Sequence, residues 1–261
     1  CSSDLLSAAK FDQNYNSQYS YIAKVGYPMG MMYGFIYEGT YKYEDFDKVG
    51  DTYTLKRNVP YFSSESNTQP GMPKYADLNG DGIIDDNDRT MIGNGMPKHT
   101  GGFTNNFEYK GFDLSIFFQW SYGNDVLNAN RLFFENSNKT RDLNQYASYA
   151  DRWTPENPES NIPRATDSGS NKVFSTRIIE DGSFLRLKTV SLGYTLPKQL
   201  TKKWKIDNAR VFVAGQNLWT CTGYSGYDPE VSIREGALTP GLDFSAYPRA
   251  YSISFGINLG F

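Results

Sequence analysis

From Tyr251 to Phe261 the chain alternates without a break. Tyr251, Ile253, Phe255, Ile257, Leu259 and Phe261 take the odd positions, and Ser252, Ser254, Gly256, Asn258 and Gly260 the even ones. Side chains of a strand point alternately to its two faces. This pattern therefore predicts a strand with one wholly apolar face and one small, polar face. It recurs upstream, where Phe103, Asn105, Phe107 and Tyr109 alternate with Thr104, Asn106, Glu108 and Lys110. Phe112, Leu114, Ile116, Phe118, Trp120 and Tyr122 then alternate with Asp113, Ser115, Gln119 and Ser121, with Phe117 as the one exception. Lys110-Gly111 between these runs reads as a two-residue hairpin turn in which Gly supplies a positive φ. Val190, Leu192, Tyr194 and Leu196 form a fourth run against Thr189, Ser191, Gly193 and Thr195. Residues 208–220 give a less regular strand, and residues 16–25 an early one.

The connections between these six strands fall into two classes. Those at 110–111 and 197–207 are short, those at 26–99, 123–182 and 221–247 are long, and the two kinds alternate strictly. Outer-membrane barrels have this asymmetry, with short periplasmic turns and long outer loops. The expected class is all-β: antiparallel strands of a transmembrane β-barrel with long extracellular loops. Because a membrane barrel needs at least about 8 strands, the chain is expected to be part of a larger barrel or to complete one as an oligomer. Within the first long loop, Met29–Tyr43 also alternates and suggests an extra hairpin. One short helix is expected at Arg141–Trp153, with Leu143, Tyr146, Ala147 and Ala150 on one face and Pro155 ending it.

Composition narrows the picture. Aromatic residues make up 16% of the chain, far too many for a disordered one. No run approaches the ~20 apolar residues of a membrane-crossing helix. The net charge is −3, and the nearest approach to a basic block is Lys202-Lys203 with Lys205, so nucleic acid is not an expected partner. Cys1 and Cys221 lie too far apart to suggest a disulfide framework. Cys221 reads as a small buried residue and Cys1 as a fragment boundary.

Catalytic constellations do not emerge. His99 is the only histidine and reads as a loop residue at a strand start, not a base. No nucleophile elbow, P-loop or dinucleotide glycine pattern occurs. Glu156 and Glu159 flank prolines and read as solvated loop carboxylates. The chain is not expected to be an enzyme. Trp153, Tyr224 and Tyr227 lie in the long loops, where they could stack on a substrate or pack the loops together.

One stretch does carry metal chemistry. Asp77-Leu-Asn-Gly-Asp-Gly-Ile-Ile-Asp-Asp-Asn-Asp88 matches the calcium-loop spacing at Asp77, Asn79, Asp81, Gly82 and Asp85. Gly82 permits the sharp turn, the Ile83 carbonyl is the expected ligand at the seventh position, and Asp88 stands where Glu is usual. Ca²⁺ is favoured over Mg²⁺ because the ligand set is mostly protein oxygen. An acidic turn satisfied by its own Asn-Gly and Asp-Gly geometry is the plainer alternative.

Several segments together resemble the SusC/RagA family of TonB-linked outer-membrane transporters. They are Val25-Gly-Tyr-Pro-Met-Gly, Tyr75-Ala-Asp-Leu-Asn-Gly-Asp-Gly-Ile-Ile-Asp, Ile92-Gly-Asn-Gly-Met-Pro-Lys, Tyr109-Lys-Gly-Phe-Asp-Leu-Ser-Ile-Phe-Phe-Gln, Arg152-Trp-Thr-Pro-Glu-Asn-Pro, Glu180-Asp-Gly-Ser-Phe-Leu-Arg-Leu-Lys, Gly215-Gln-Asn-Leu-Trp, Gly223-Tyr-Ser-Gly-Tyr-Asp-Pro-Glu and the terminal Phe261. The resemblance implies the C-terminal portion of a barrel of about 22 strands in the cell outer membrane. It also implies a plug and further strands outside this sequence, a SusD-like surface lipoprotein acting as a lid, and import of oligosaccharides or peptides driven by the TonB complex. In that setting Tyr251, Ile253, Phe255, Ile257, Leu259 and Phe261 are expected to face the bilayer and to form the assembly signal. The competing reading is a secreted, calcium-dependent, β-rich carbohydrate-binding module, which explains the metal loop but not the alternating loop lengths.

Overall fold

The computed structural model describes residues 10–12, 16–136, 144–166, 173–232 and 238–261. The chain divides into two compact units. One comprises Pro97–Asn124, Asp181–Glu230 and Tyr247–Phe261; the other comprises Cys1–Met96, Asp125–Glu180 and Val231–Ala246.

The first of these is a wall of five long strands: β1 (His99–Tyr109), β2 (Phe112–Tyr122), β3 (Phe184–Thr195), β4 (Asn208–Thr222) and β5 (Ser252–Gly260). They form one antiparallel meander in chain order. The β1–β2 hairpin is as tight as its sequence requires, with Lys110 at φ 47° and Gly111 at φ 87°. Positive φ at both central residues is what a two-residue turn between right-twisted strands demands. Register lines up the apolar positions across the sheet. One row runs Phe107, Leu114, Leu192, Val213, Phe255, and the next runs Tyr109, Phe112, Tyr194, Val211, Ile257. The opposite face carries Asn106, Ser115, Ser191, Ala214 and Ser254 in one row.

A bulge interrupts this regularity. Phe117 and Phe118 pair with Thr189 and Leu187, so that Lys188 is an extra residue in β3. The slip reverses the parity of the strand beyond it. Leu185 and Leu187 join the row positions of Trp120 and Phe118 on the apolar face, while Arg186 falls on the polar one. Strict alternation from Val190 through position 188 would have put Arg186 among the apolar side chains.

The other unit is made of the long connections, which fold instead of hanging loose. Met31–Gly34 pairs with Tyr21–Ile22 and with Thr90–Asn94, Tyr37–Thr40 pairs with Pro73–Tyr75, and Phe46–Val49 pairs with Thr52–Leu55. Its core gathers Tyr21, Met32, Leu127, Phe174, Ile178 and Leu242. A second cluster holds Phe35, Tyr75, Ile84 and Val173.

Three sequence expectations change here. The early strand at 16–25 is absent from the wall; its residues form the short strands Asn16–Tyr19 and Tyr21–Ile22, and Tyr21 and Ile22 are both buried, which a one-faced wall strand does not allow. The hairpin expected within Met29–Tyr43 resolves into two strands that pair with 90–94 and 73–75, not with each other. The helix expected over 141–153 is a single 3₁₀ turn at Ala147–Asp151, flanked by extended Tyr146 and Arg152, and residues 141–143 lie outside the described residues. No helix among the described residues is long and apolar enough to cross a membrane, which says nothing of strands.

Candidate functional site

The wall's two faces have different chemistry. On β5 and at its two ends, Tyr251, Ile253, Phe255, Ile257, Leu259 and Phe261 are all exposed, Phe255 by 82%. Phe103, Phe107, Tyr109, Phe112, Leu192 and Val211 are exposed alongside them. Water does not favour so continuous an apolar surface, and strands that alternate in this way are built to meet hydrocarbon. Cys221 also lies on this face, opposite Leu185, and is exposed. Its expected burial is thus corrected: the β4 register places it on the unpacked side of the sheet.

The polar face holds ion pairs. Arg210 Nε donates to Asp113 Oδ1 at 2.9 Å, and its guanidinium also pairs with Asp113 Oδ2. The pair lies across Gly193, where a Cβ would strike both the Arg210 guanidinium and the Asp113 carboxylate. Beyond the bulge a second cluster forms around Arg186. Its guanidinium donates to Asp228 Oδ1 at 2.5 Å and to Glu230 Oε2 at 3.3 Å. Glu230 also forms ion pairs with Arg249 at 3.0 Å and Lys188 at 3.7 Å. Burial works against the charge of Asp228. The bond from Arg186, the backbone amides of Glu230 and Arg249, and the guanidinium charge outweigh it and hold the carboxyl below its usual range. Sequence reasoning missed this cluster because the bulge hides the facing of Arg186. The available signal was Tyr227-Asp-Pro-Glu230, acidic residues held in a proline turn.

In the 77–88 loop the carboxylates are turned toward the loop's own amides. Asp77 accepts from the N–H groups of Gly80 and Gly82 at 2.7 and 2.8 Å, Asn79 from Asp81 at 2.8 Å, and Asp81 from Ile83 at 2.8 Å. Asp85 caps Asn87 at 2.8 Å. Asp88 is fully buried and accepts from Leu78, Asn79 and Asp85 at 2.8, 3.3 and 2.8 Å. Gly80 and Gly82 both adopt positive φ. Among the described residues no group of three or more His, Cys, Asp or Glu side chains is gathered to hold a metal ion.

The three loop aromatics are not brought together. Trp153 is buried, packed on Gly71 with the Arg164 guanidinium 5.5 Å from its ring centre. Tyr224 is buried as well, whereas Tyr227 is 84% exposed. Trp153 and Tyr224 thus take the packing role, one of the two readings open to the loop aromatics, while Tyr227 keeps an open ring. His99 opens β1, accepts a hydrogen bond from Trp120 Nε1 at Nδ1 (3.2 Å) and stacks on Tyr122.

Comparison with known proteins agrees with this geometry. No family model matches the chain. TonB-dependent receptor P3 of Formosa agariphila is 34% identical over 247 residues, covering 92% of this chain and 23% of the receptor. TonB-dependent receptor SusC of Bacteroides thetaiotaomicron is 28% identical over 198 residues, covering 76% of this chain and 18% of SusC. Among solved structures, the RagAB peptide transporter aligns with a TM-score of 0.68 at 26% identity, over 93% of this chain and 24% of that one. The chain thus spans about a quarter or less of the length of the proteins it matches. On the strength of the P3 match, the chain belongs to the SusC/RagA type of TonB-dependent receptors, a family of outer-membrane barrel proteins and not of enzymes.

Proposed function

We propose that the chain supplies wall strands and outer loops to an importer of oligosaccharides or peptides, working with a SusD-like surface lipoprotein and energised by the TonB complex. The observation that carries this is the two-faced wall. Its apolar face suits a bilayer, and its polar face bears fixed ion pairs of the kind that line a lumen or meet a plug. One solved neighbour, a peptide transporter, supports peptides as a cargo class. The test is uptake by cells carrying or lacking the complete receptor, using labelled oligosaccharides and peptides, with purification of the receptor from the outer membrane. Loss of uptake of one cargo class, and a surface lipoprotein co-purifying with the receptor, are the expected results. Unchanged uptake across both classes defeats the reading.

The 77–88 loop is proposed as a structural calcium site within one of the outer loops, with Mg²⁺ the weaker candidate. Asp77, Asn79, Asp81, the Ile83 carbonyl, Asp85 and Asp88 would hold the ion. Their spacing supports this, as do the two turn glycines that keep the loop tight.

A further inference from the structure

The connection between β3 and β4 is short, basic and partly apolar. Lys198–Thr201 forms a single helical turn and Lys202–Trp204 a 3₁₀ turn, closed by Lys205 in the left-handed region at φ 55°. Lys198, Lys202, Lys203 and Lys205 are exposed, and so are Leu200 and Trp204 between them. Only Asp207 offsets the four lysines locally, in a chain whose net charge is −3. None of the four makes an ion pair among the described residues. The turn is not loose, because buried Thr201 accepts from the Ile206 amide at 3.2 Å and Leu196 donates to Ala209 at 2.9 Å.

Its position in the wall matters as much as its charge. Thr195 donates to the Gly111 carbonyl at 2.7 Å, which sets the Lys110-Gly111 turn beside it at the same end of the sheet. At that end the apolar face finishes in Tyr109, Phe112, Tyr194 and Val211. If the apolar face meets a bilayer, the lysines and Trp204 lie at the edge of that face. Short turns of outer-membrane barrels are periplasmic, and an aromatic ring among cations is the composition of an interfacial anchor.

We propose that residues 198–205, with Lys110 beside them, form a binding surface for anionic phospholipid headgroups of the periplasmic leaflet. An acidic periplasmic protein would meet the same charges. The exposed Leu200 and Trp204, and the end of the apolar face beside them, favour lipid. The inference rests on the membrane reading of the wall.

The test uses the complete receptor in nanodiscs of phosphatidylcholine, alone or mixed with phosphatidylglycerol. Native mass spectrometry reads the phosphatidylglycerol retained, and heat-modifiable migration on gels reads barrel insertion. Wild type is expected to retain phosphatidylglycerol preferentially, and less so as salt rises. The combined variant K198Q/K202Q/K203Q/K205Q should insert but lose the preference, by roughly fivefold for each lysine near the surface. The corresponding Lys→Arg variant should keep it. Equal retention by wild type and the Gln variant, both inserted, overturns the proposal, whether or not the variant loses a periplasmic protein partner. Wild type that does not insert at all overturns the membrane reading and the proposal with it.

Discussion

Arg186 and Asp228 meet at 2.5 Å with both side chains buried, joining strand β3 to the connection between β4 and β5. Asp228 also accepts from the backbone amides of Glu230, at 2.9 Å, and Arg249, at 3.1 Å. One carboxylate thus ties together residues before and after the span 231–246. A buried guanidinium with its partner removed is costly, so the pair governs this connection more than its surface salt bridges do.

Asp228→Asn should therefore destabilise the connection by roughly 3 kcal/mol, the lower end for a broken buried pair because Glu230 still faces Arg186. Limited proteolysis between residues 228 and 249 of the complete receptor is the measurement. The pH dependence has a definite sign. The carboxyl is held below its usual range in the fold, so its contribution is fully present above the unfolded value of about 3.9. It is lost only as pH falls through the lower folded value. Wild-type protection should be flat from neutral to mildly acidic pH and drop only in strong acid, and Asp228→Asn should lack that drop.

The wall makes a prediction about facing. Phe255 shares a row with Val213, Leu192, Leu114 and Phe107, while Ser254 shares one with Ala214, Ser191, Ser115 and Asn106. Phe255→Lys should cost about 2–4 kcal/mol if its row lies near mid-membrane, and Ser254→Lys much less. Refolding of the complete receptor into lipid vesicles against urea measures both. A larger penalty at Ser254 would mean that the faces have been assigned the wrong way round.

Calcium binding at 77–88 can be separated from loop folding because two carboxylates do different work. Asp88 is buried and accepts three backbone amides, so Asp88→Ala should loosen the loop with or without metal. Asp81 is exposed and caps only Ile83 and the Asn79 amide group. Asp81→Ala should leave the metal-free loop nearly as protected as wild type, yet abolish the extra protease resistance that Ca²⁺ confers. If Ca²⁺ adds no resistance to wild type, the loop is an acidic turn.

How much of this was legible depended on periodicity. β5 alternates without a break and β2 with only Phe117 out of step, so sequence alone located these strands, most of β1 and the Lys110-Gly111 turn. The bulge at Lys188 escaped notice because one extra residue breaks the period-two count without changing composition. Arg186 went unnoticed with it. The loop unit was illegible for another reason. Its core draws on Tyr21, Met32, Leu127, Phe174 and Leu242, positions scattered along the chain on strands too short to show a period. Sequence leaves stacking and packing both open for Trp153 and Tyr224, and only tertiary packing decides that both are buried.

Among the described residues β5 pairs only with β4, so its other edge carries unpaired backbone groups that hydrocarbon cannot satisfy. In a closed barrel another strand of the complete receptor must cover that edge. An alternating strand closing on an aromatic residue offers insertion machinery a readable surface: Tyr251, Ile253, Phe255, Ile257, Leu259 and Phe261 on one face, all exposed. Phe261 lies just beyond the last paired residue, since Asn208 pairs with Gly260. Changing it removes little of the sheet's own hydrogen bonding. Phe261→Ala in the complete receptor should lower the amount reaching the outer membrane, while uptake per inserted molecule stays at the wild-type level. Surface labelling and a transport assay on the same cells give the two numbers. Normal abundance with impaired uptake per molecule would place Phe261 in transport and not in assembly.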